Sequence, residues 1–253
     1  MMSLLIAVTL AAIVYSLWIR RDTWRSRWEV SASLNIALQG CAVLLISPWA
    51  SATLGPPLHR IVGLWNVQHL LGHICLIAAV TAIIYHGMSR VADEKLVGGL
   101  FGRHVVGPVK LGVPLLVVVF VIADEGYHAD MFPAHVSSVW LGAYWLVLGV
   151  LLIYLLAYAG RVLLILRADP RATVTVDLYL ISAAFGVAAN VIQMSTAWAG
   201  IDVTLPVWLC ACLGAMGFAY GSARSWQVKA AWFTPGKSLP PRASRPNPYG
   251  EAA

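Results

Sequence analysis

Seven apolar stretches divide the chain, near residues 2–19, 31–50, 62–86, 109–123, 136–160, 176–196 and 206–222. A helix needs roughly 17–25 mostly apolar residues to cross a bilayer. The fourth stretch is the shortest, and Gly112 and Pro114 interrupt its start, but LLVVVFVIA within it is unbroken. Only 11% of residues are charged and 60% are hydrophobic, whereas soluble domains carry about 25% charged residues. A soluble fold of this length could not cover such a core. Strands of a membrane barrel would alternate apolar and polar residues over about ten positions, and these runs do not. The expected fold is all-α: a polytopic membrane protein with seven transmembrane helices.

The basic residues set the direction of insertion. Sixteen of the seventeen Lys and Arg fall in the connections after the first, third and fifth spans or after the seventh, and only Arg60 lies on the other side. Positively charged segments stay in the cytoplasm, so the N-terminus is expected outside and the C-terminus in the cytoplasm of a cell's inner (plasma) membrane. An even number of spans would break this pattern. The first span lacks the basic leader of a signal peptide, because its arginines follow the apolar run; it reads as a retained helix. No basic connection interleaves its charges with stacking aromatics, which argues against nucleic-acid binding. Cys41, Cys75, Cys210 and Cys212 all fall in apolar spans, which disfavours a disulfide framework.

Two regions follow: a transmembrane domain over 1–223, and a basic, proline-rich cytoplasmic tail over 224–253. After residue 233 the tail is too polar to bury a core and is expected to be mobile. The connection 87–108 is glycine-rich and reads as a long loop. The opposite connections, SATLGPPLHR, DEGYHADMFPAH and AWAGIDVTL, read as short outer loops. Trp49, Trp65, Trp140, Trp145, Trp198 and Trp208 lie mostly near the outer ends of spans, as an interfacial belt requires.

The third span carries the candidate site. It opens with NVQHLLGH and closes at His86. At 100° per residue, Asn66, His69 and His73 fall within about 60° of one another, while Gln68 and His86 point the opposite way. His86 reads as an ordinary residue of the inner interface. His69 and His73 lie in the outer half, where polar groups must be satisfied by other helices or by a water-filled cavity. Asn190 and Gln193 of the sixth span match them in depth. Above sit Asp124, Glu125, His128, Asp130 and His135, an acidic lid. Asn35 and Gln39 fall in the inner half and read as a separate polar feature. Asp177 is the only acidic residue read at the start of a span, where it complements the helix dipole. Gly214, Gly217 and Gly221 form a small-residue face suited to close helix packing.

Three readings of Asn66, His69, His73, Asn190 and Gln193 compete. They are hydrogen-bonding glue between helices; or they line a pocket for a small ligand or proton, since histidine titrates near neutral pH; or the His69–His73 pair, four residues apart, shares a metal or haem. No second histidine lies at matching depth on the second, sixth or seventh span, so no cofactor is expected, with haem or zinc as the third choice. No GxSxG, GxxxxGK[ST] or HExxH pattern occurs, and no catalytic residue is assigned.

LWNVQHLLGHICLIAAVTAII, VVVFVIADE with its acidic continuation, and LYLISAAFGVAANVI together resemble an actinobacterial family of uncharacterised membrane proteins described as transporters. The likeness covers most of residues 1–222. It implies a seven-helix membrane domain and an actinobacterial or actinobacteriophage source, but brings no catalytic residues. Many members continue into a cytoplasmic domain, where this chain has its proline-rich tail. The expected function is thus a membrane sensor or transporter of a small ligand or protons, not an enzyme. The alternative is an interaction subunit, or a modulator from host or phage, whose basic loops and tail contact a cytoplasmic protein.

Overall fold

The computed structural model describes residues 1–132, 138–196 and 201–232, with side chains through 230. His135 and Trp198 lie outside these, as does the tail beyond 232. Among the described residues nine α-helices follow one another: α1 (Met2–Ile19), α2 (Val30–Ile46), α3 (Pro48–Val62), α4 (Val67–Val91), α5 (Glu94–Phe101), α6 (Gly107–Ala123), α7 (Val139–Leu166), α8 (Thr173–Thr196) and α9 (Thr204–Trp232). A 3₁₀ turn, Arg21–Arg25, joins α1 to α2, and a π-helical turn, Gly102–Val106, joins α5 to α6. No strand occurs among the described residues. Among the described residues six helical segments are long and apolar enough to cross a membrane, and the bent pair α2–α3 makes a seventh if it is one span.

Three expected boundaries are corrected. The second span does not run to residue 50. It stops at Ile46 and turns by 77° into α3, so SATLGPPLHR is helix rather than loop. Pro48 has no N–H to continue α2 and forces Ser47 into an extended conformation; Ser47 has φ −64° and ψ 149°. The Ser47 hydroxyl then accepts from the Ala50 amide at 3.3 Å and starts α3. Gly63, at φ 81°, ends it.

The expected loop 87–108 is also mostly helix. Asp93 caps α5 by accepting from the Leu96 amide at 2.8 Å. The extra residue of the π turn carries the helix through Gly102 and Gly107 into α6, giving one 30-residue segment, Glu94–Ala123. Gly112 lets α6 approach α7: a Cβ there would lie 2.7 Å from Leu151. Third, α9 runs past the span end expected at 222 and continues to Trp232.

Helices α2, α4, α7, α8 and α9 pack pairwise into a closed ring, α1 covers the α2–α9 seam, and α6 lies on the outside of α7. α8 and α9 approach closely, where Gly214 meets the backbone of Ser182 and Gly221 meets the Tyr179 ring. Side chains there would force the helices apart. α4 and α8 are not a packed pair. They face each other across the middle of the ring.

Candidate functional site

The middle of the ring holds an elongated, mostly apolar cavity of about 120 Å³. Along α8 it runs from Ser182 through Gly186 to Gln193 and Met194, a distance of roughly 17 Å at 1.5 Å per residue. A buried water needs about 10–15 Å³ by this measure, so the space exceeds an ordinary packing defect. His73, Trp145, Phe132, Gln193 and Trp208 line one end, and Gln39 and Phe218 line it deeper in.

The structure brings some of the expected site residues to this cavity and sends others elsewhere. His73, Asn190 and Gln193 all line it. No direct α4–α8 bond holds them. The His73 ring nitrogen Nδ1 lies 2.6 Å from the Tyr144 hydroxyl of α7, and Asn190 donates to the Gly186 carbonyl of its own helix at 2.8 Å. Gln193 is 4% exposed, and its Oε1 has no hydrogen-bond partner among the described residues; the same holds for Nε1 of Trp145, 3% exposed. Nearly all buried polar atoms in proteins are paired, so two such atoms on residues lining one cavity are informative.

His69 does not reach the cavity. It is fully buried beside α3, where Nδ1 meets the Gln68 amide at 3.1 Å, and Gln68 donates in turn to Ser51 at 3.2 Å. Gln68 therefore works with His69 rather than on the opposite side, because the kink at Ser47 folds α3 back over the start of α4. Asn66 also leaves the expected face. It precedes the first turn of α4 at φ 61°, a left-handed conformation that Asn tolerates better than most residues. From there its amide donates to the Gly126 carbonyl at 2.7 Å, and its carbonyl accepts from the His128 amide at 3.0 Å. It is a strap for the connection above, not a cavity residue.

That connection places the acidic residues in distinct roles. Asp124 is exposed and left-handed at φ 40°. Glu125 accepts from the Ser138 hydroxyl at 3.0 Å and lies 3.8 Å from His128. Asp130 accepts from the indole of Trp208 at 2.9 Å and from the Phe132 amide at 3.0 Å, which ties the lid to the cavity wall. Burial pushes the Asp130 carboxyl above its ordinary range, with the Asp202 carboxylate adding to this and the two hydrogen bonds opposing it. His135 lies outside the described residues.

Gln39 is not part of a separate feature. It lines the same cavity and donates to Asn35 at 3.0 Å, while Asn35 donates to the Ala79 carbonyl at 2.8 Å. Among the described residues no three His, Cys, Asp or Glu side chains converge as a metal site would require.

His86 is not an ordinary interface residue. It is 8% exposed and touches Ser31 at 3.3 Å, and Arg90 donates to its Nε2 at 3.1 Å. Arg90 leads to Glu29, which stands just before α2 and escaped the sequence reading. Glu29 binds Arg20 at 3.0 Å, Arg90 at 2.6 Å and Lys229 at 2.6 Å. Burial pushes its carboxyl up, but Lys229 and Arg90 outweigh this and hold it down at about 2. The one signal in the sequence was an acid among arginines immediately before an apolar run. Asp177, by contrast, makes an exposed pair with Arg167 at 2.7 Å.

Comparison with known proteins returns no matching family, no similar curated protein and no similar solved structure.

Proposed function

We propose that the chain is a seven-span plasma-membrane protein, N-terminus outside, that binds a small neutral ligand in the cavity between α4 and α8, as a sensor or transporter does. The sixteen-to-one distribution of Lys and Arg supports the orientation, and reading α2–α3 as one bent span supports the count. One observation carries the ligand reading: α4 and α8 leave a cavity between them where glue would require contact, and unpaired Gln193 and Trp145 stand in its wall. Binding sites for small molecules are typically apolar clefts with a few polar groups that fix orientation. The ligand class is a slender apolar molecule with one hydroxyl or carbonyl, which would accept from Trp145 and donate to Gln193 where it carries an O–H.

The test uses 1-naphthol, a neutral apolar molecule with one hydroxyl, titrated by calorimetry into protein held in nanodiscs. Saturable binding is expected for the native chain. Ala211→Phe, which fills the cavity, is expected to abolish it with thermal stability retained, and Gln193→Leu to weaken it. Binding that is unchanged in Ala211→Phe sinks the cavity reading. The orientation is tested by cysteine labelling: residue 130 should label from outside and residue 240 from the cytoplasmic side.

A further inference from the structure

The Glu29 cluster holds more positive charge than it uses. Arg20, Arg90 and Lys229 surround one carboxylate, so among the described residues of the cluster positive charge exceeds negative by two. Arg20 is fully committed: its guanidinium donates to Ser33, to the Ser222 carbonyl and to Glu29, and it is 1% exposed. Arg90 and Lys229 differ. Their side chains keep 35% and 24% of their surface, and both contact the same oxygen, Oε1, at 2.6 Å. A single carboxylate oxygen thus holds two cations side by side at the surface, with donors of the ammonium and guanidinium left over. Like charges this close repel unless an anion sits with them, and the single charge of Glu29, shared with Arg20, is less than the pair needs.

The setting indicates which anion. The cluster lies where α1, α2, α4 and α9 have their ends on the basic side, and exposed tryptophans stand in the last turn of α1 (Trp18) and in the connection that follows it (Trp24 and Trp28). Tryptophans mark the headgroup level of a bilayer. The connection itself is cationic, with Arg21, Arg25 and Arg27 against Asp22. Basic sites between the ends of transmembrane helices are suited to anionic lipid headgroups. We propose that Arg90 and Lys229 form a binding site for the phosphate of an anionic phospholipid, with Glu29 holding the two cations in place. This does not rest on the cavity reading.

The test is native mass spectrometry of the detergent-purified full chain with phosphatidylglycerol, phosphatidylcholine or inorganic phosphate added. One phosphatidylglycerol is expected to bind in preference to phosphatidylcholine. Arg90→Gln with Lys229→Gln, which keeps the Arg20–Glu29 pair, is expected to weaken that binding about thirtyfold. The charge-preserving exchange Arg90→Lys with Lys229→Arg should restore most of it. Equal binding of the two lipids, or retention by the double glutamine variant, overturns the proposal. Displacement of phosphatidylglycerol by millimolar inorganic phosphate overturns the lipid as its source.

Discussion

The two ends of the bundle are closed by different physics. At the basic end, four helices converge on Glu29, and the contacts are ion pairs between groups anchored on or directly beside those helices. At the other end, an irregular connection is held by separate hydrogen bonds, Asn66 to Gly126 and His128, and Asp130 to Trp208. The first closure fixes the positions of whole helices. The second can be released one bond at a time, and it sits directly over the cavity. An opening that admits a ligand is therefore expected at the Asp130 end, because breaking the Glu29 cluster would separate the buried Arg20 and Glu29 charges.

Substitutions test this contrast. Glu29→Ala should have the largest effect, since it strands Arg20 in a buried site; removing one partner of such a pair costs about 3–5 kcal/mol, measurable as lost thermal stability. An unchanged melting temperature would show that the basic end is not closed by charge. Asn66→Ala should cost about 2–3 kcal/mol, from two hydrogen bonds and a left-handed backbone. Asn66→Gly should recover about 1 kcal/mol of this, because only the backbone part is relieved. If both variants lose the same amount, the backbone conformation contributes nothing. Trp208→Phe should cost about 1 kcal/mol and should raise hydrogen exchange in residues 124–132 while leaving 20–33 unchanged.

The smallest effect is the one with opposite sign at the two ends. The Glu29 carboxyl is lowered from an ordinary 4.5 to about 2, so its contribution to stability is present above 4.5 and is lost only as pH falls toward 2. The Asp130 carboxyl is raised from 3.8, so its contribution is present below 3.8 and is lost as pH rises through the elevated value. Acidification through the elevated Asp130 value, kept above 4.5, should slow exchange at 124–132, after correction for intrinsic rates, and should leave the Glu29 end unaffected. Faster exchange at 124–132 on acidification would reverse the assignment for Asp130.

Much of the architecture was legible in the residues. Long apolar runs are additive along the chain, and so is the bias of basic residues among connections; neither depends on how helices rotate against each other. The spacing of Gly214, Gly217 and Gly221 likewise marked a close helix contact before α8 was known to fill it. Sequence pattern and structure part where one local event changes the direction of the chain. Pro48 turned an expected span end into a 77° bend, which brought Ser51 of α3 over Gln68 and His69. The π turn converted a glycine-rich loop into continuous helix, where each glycine taken alone suggested a break.

For the candidate site, the sequence identified polar residues at matching depth on α4 and α8. A helical wheel treats each helix as straight and isolated, and so placed Asn66, His69 and His73 on one working face. Tertiary structure divided them: Asn66 to the lid, His69 to α3, and His73 to the cavity with Asn190 and Gln193. It also joined Gln39 to that cavity and assembled Glu29, Arg90 and Lys229 from positions up to 200 residues apart. The sequence determined that this chain carries helices long and apolar enough to cross a bilayer and how its basic residues are shared among the connections, because apolar length and charge are read residue by residue. Which polar groups meet was decided only by the packing, because helix rotation, the bend at Ser47 and the gap between α4 and α8 are properties of the assembled ring.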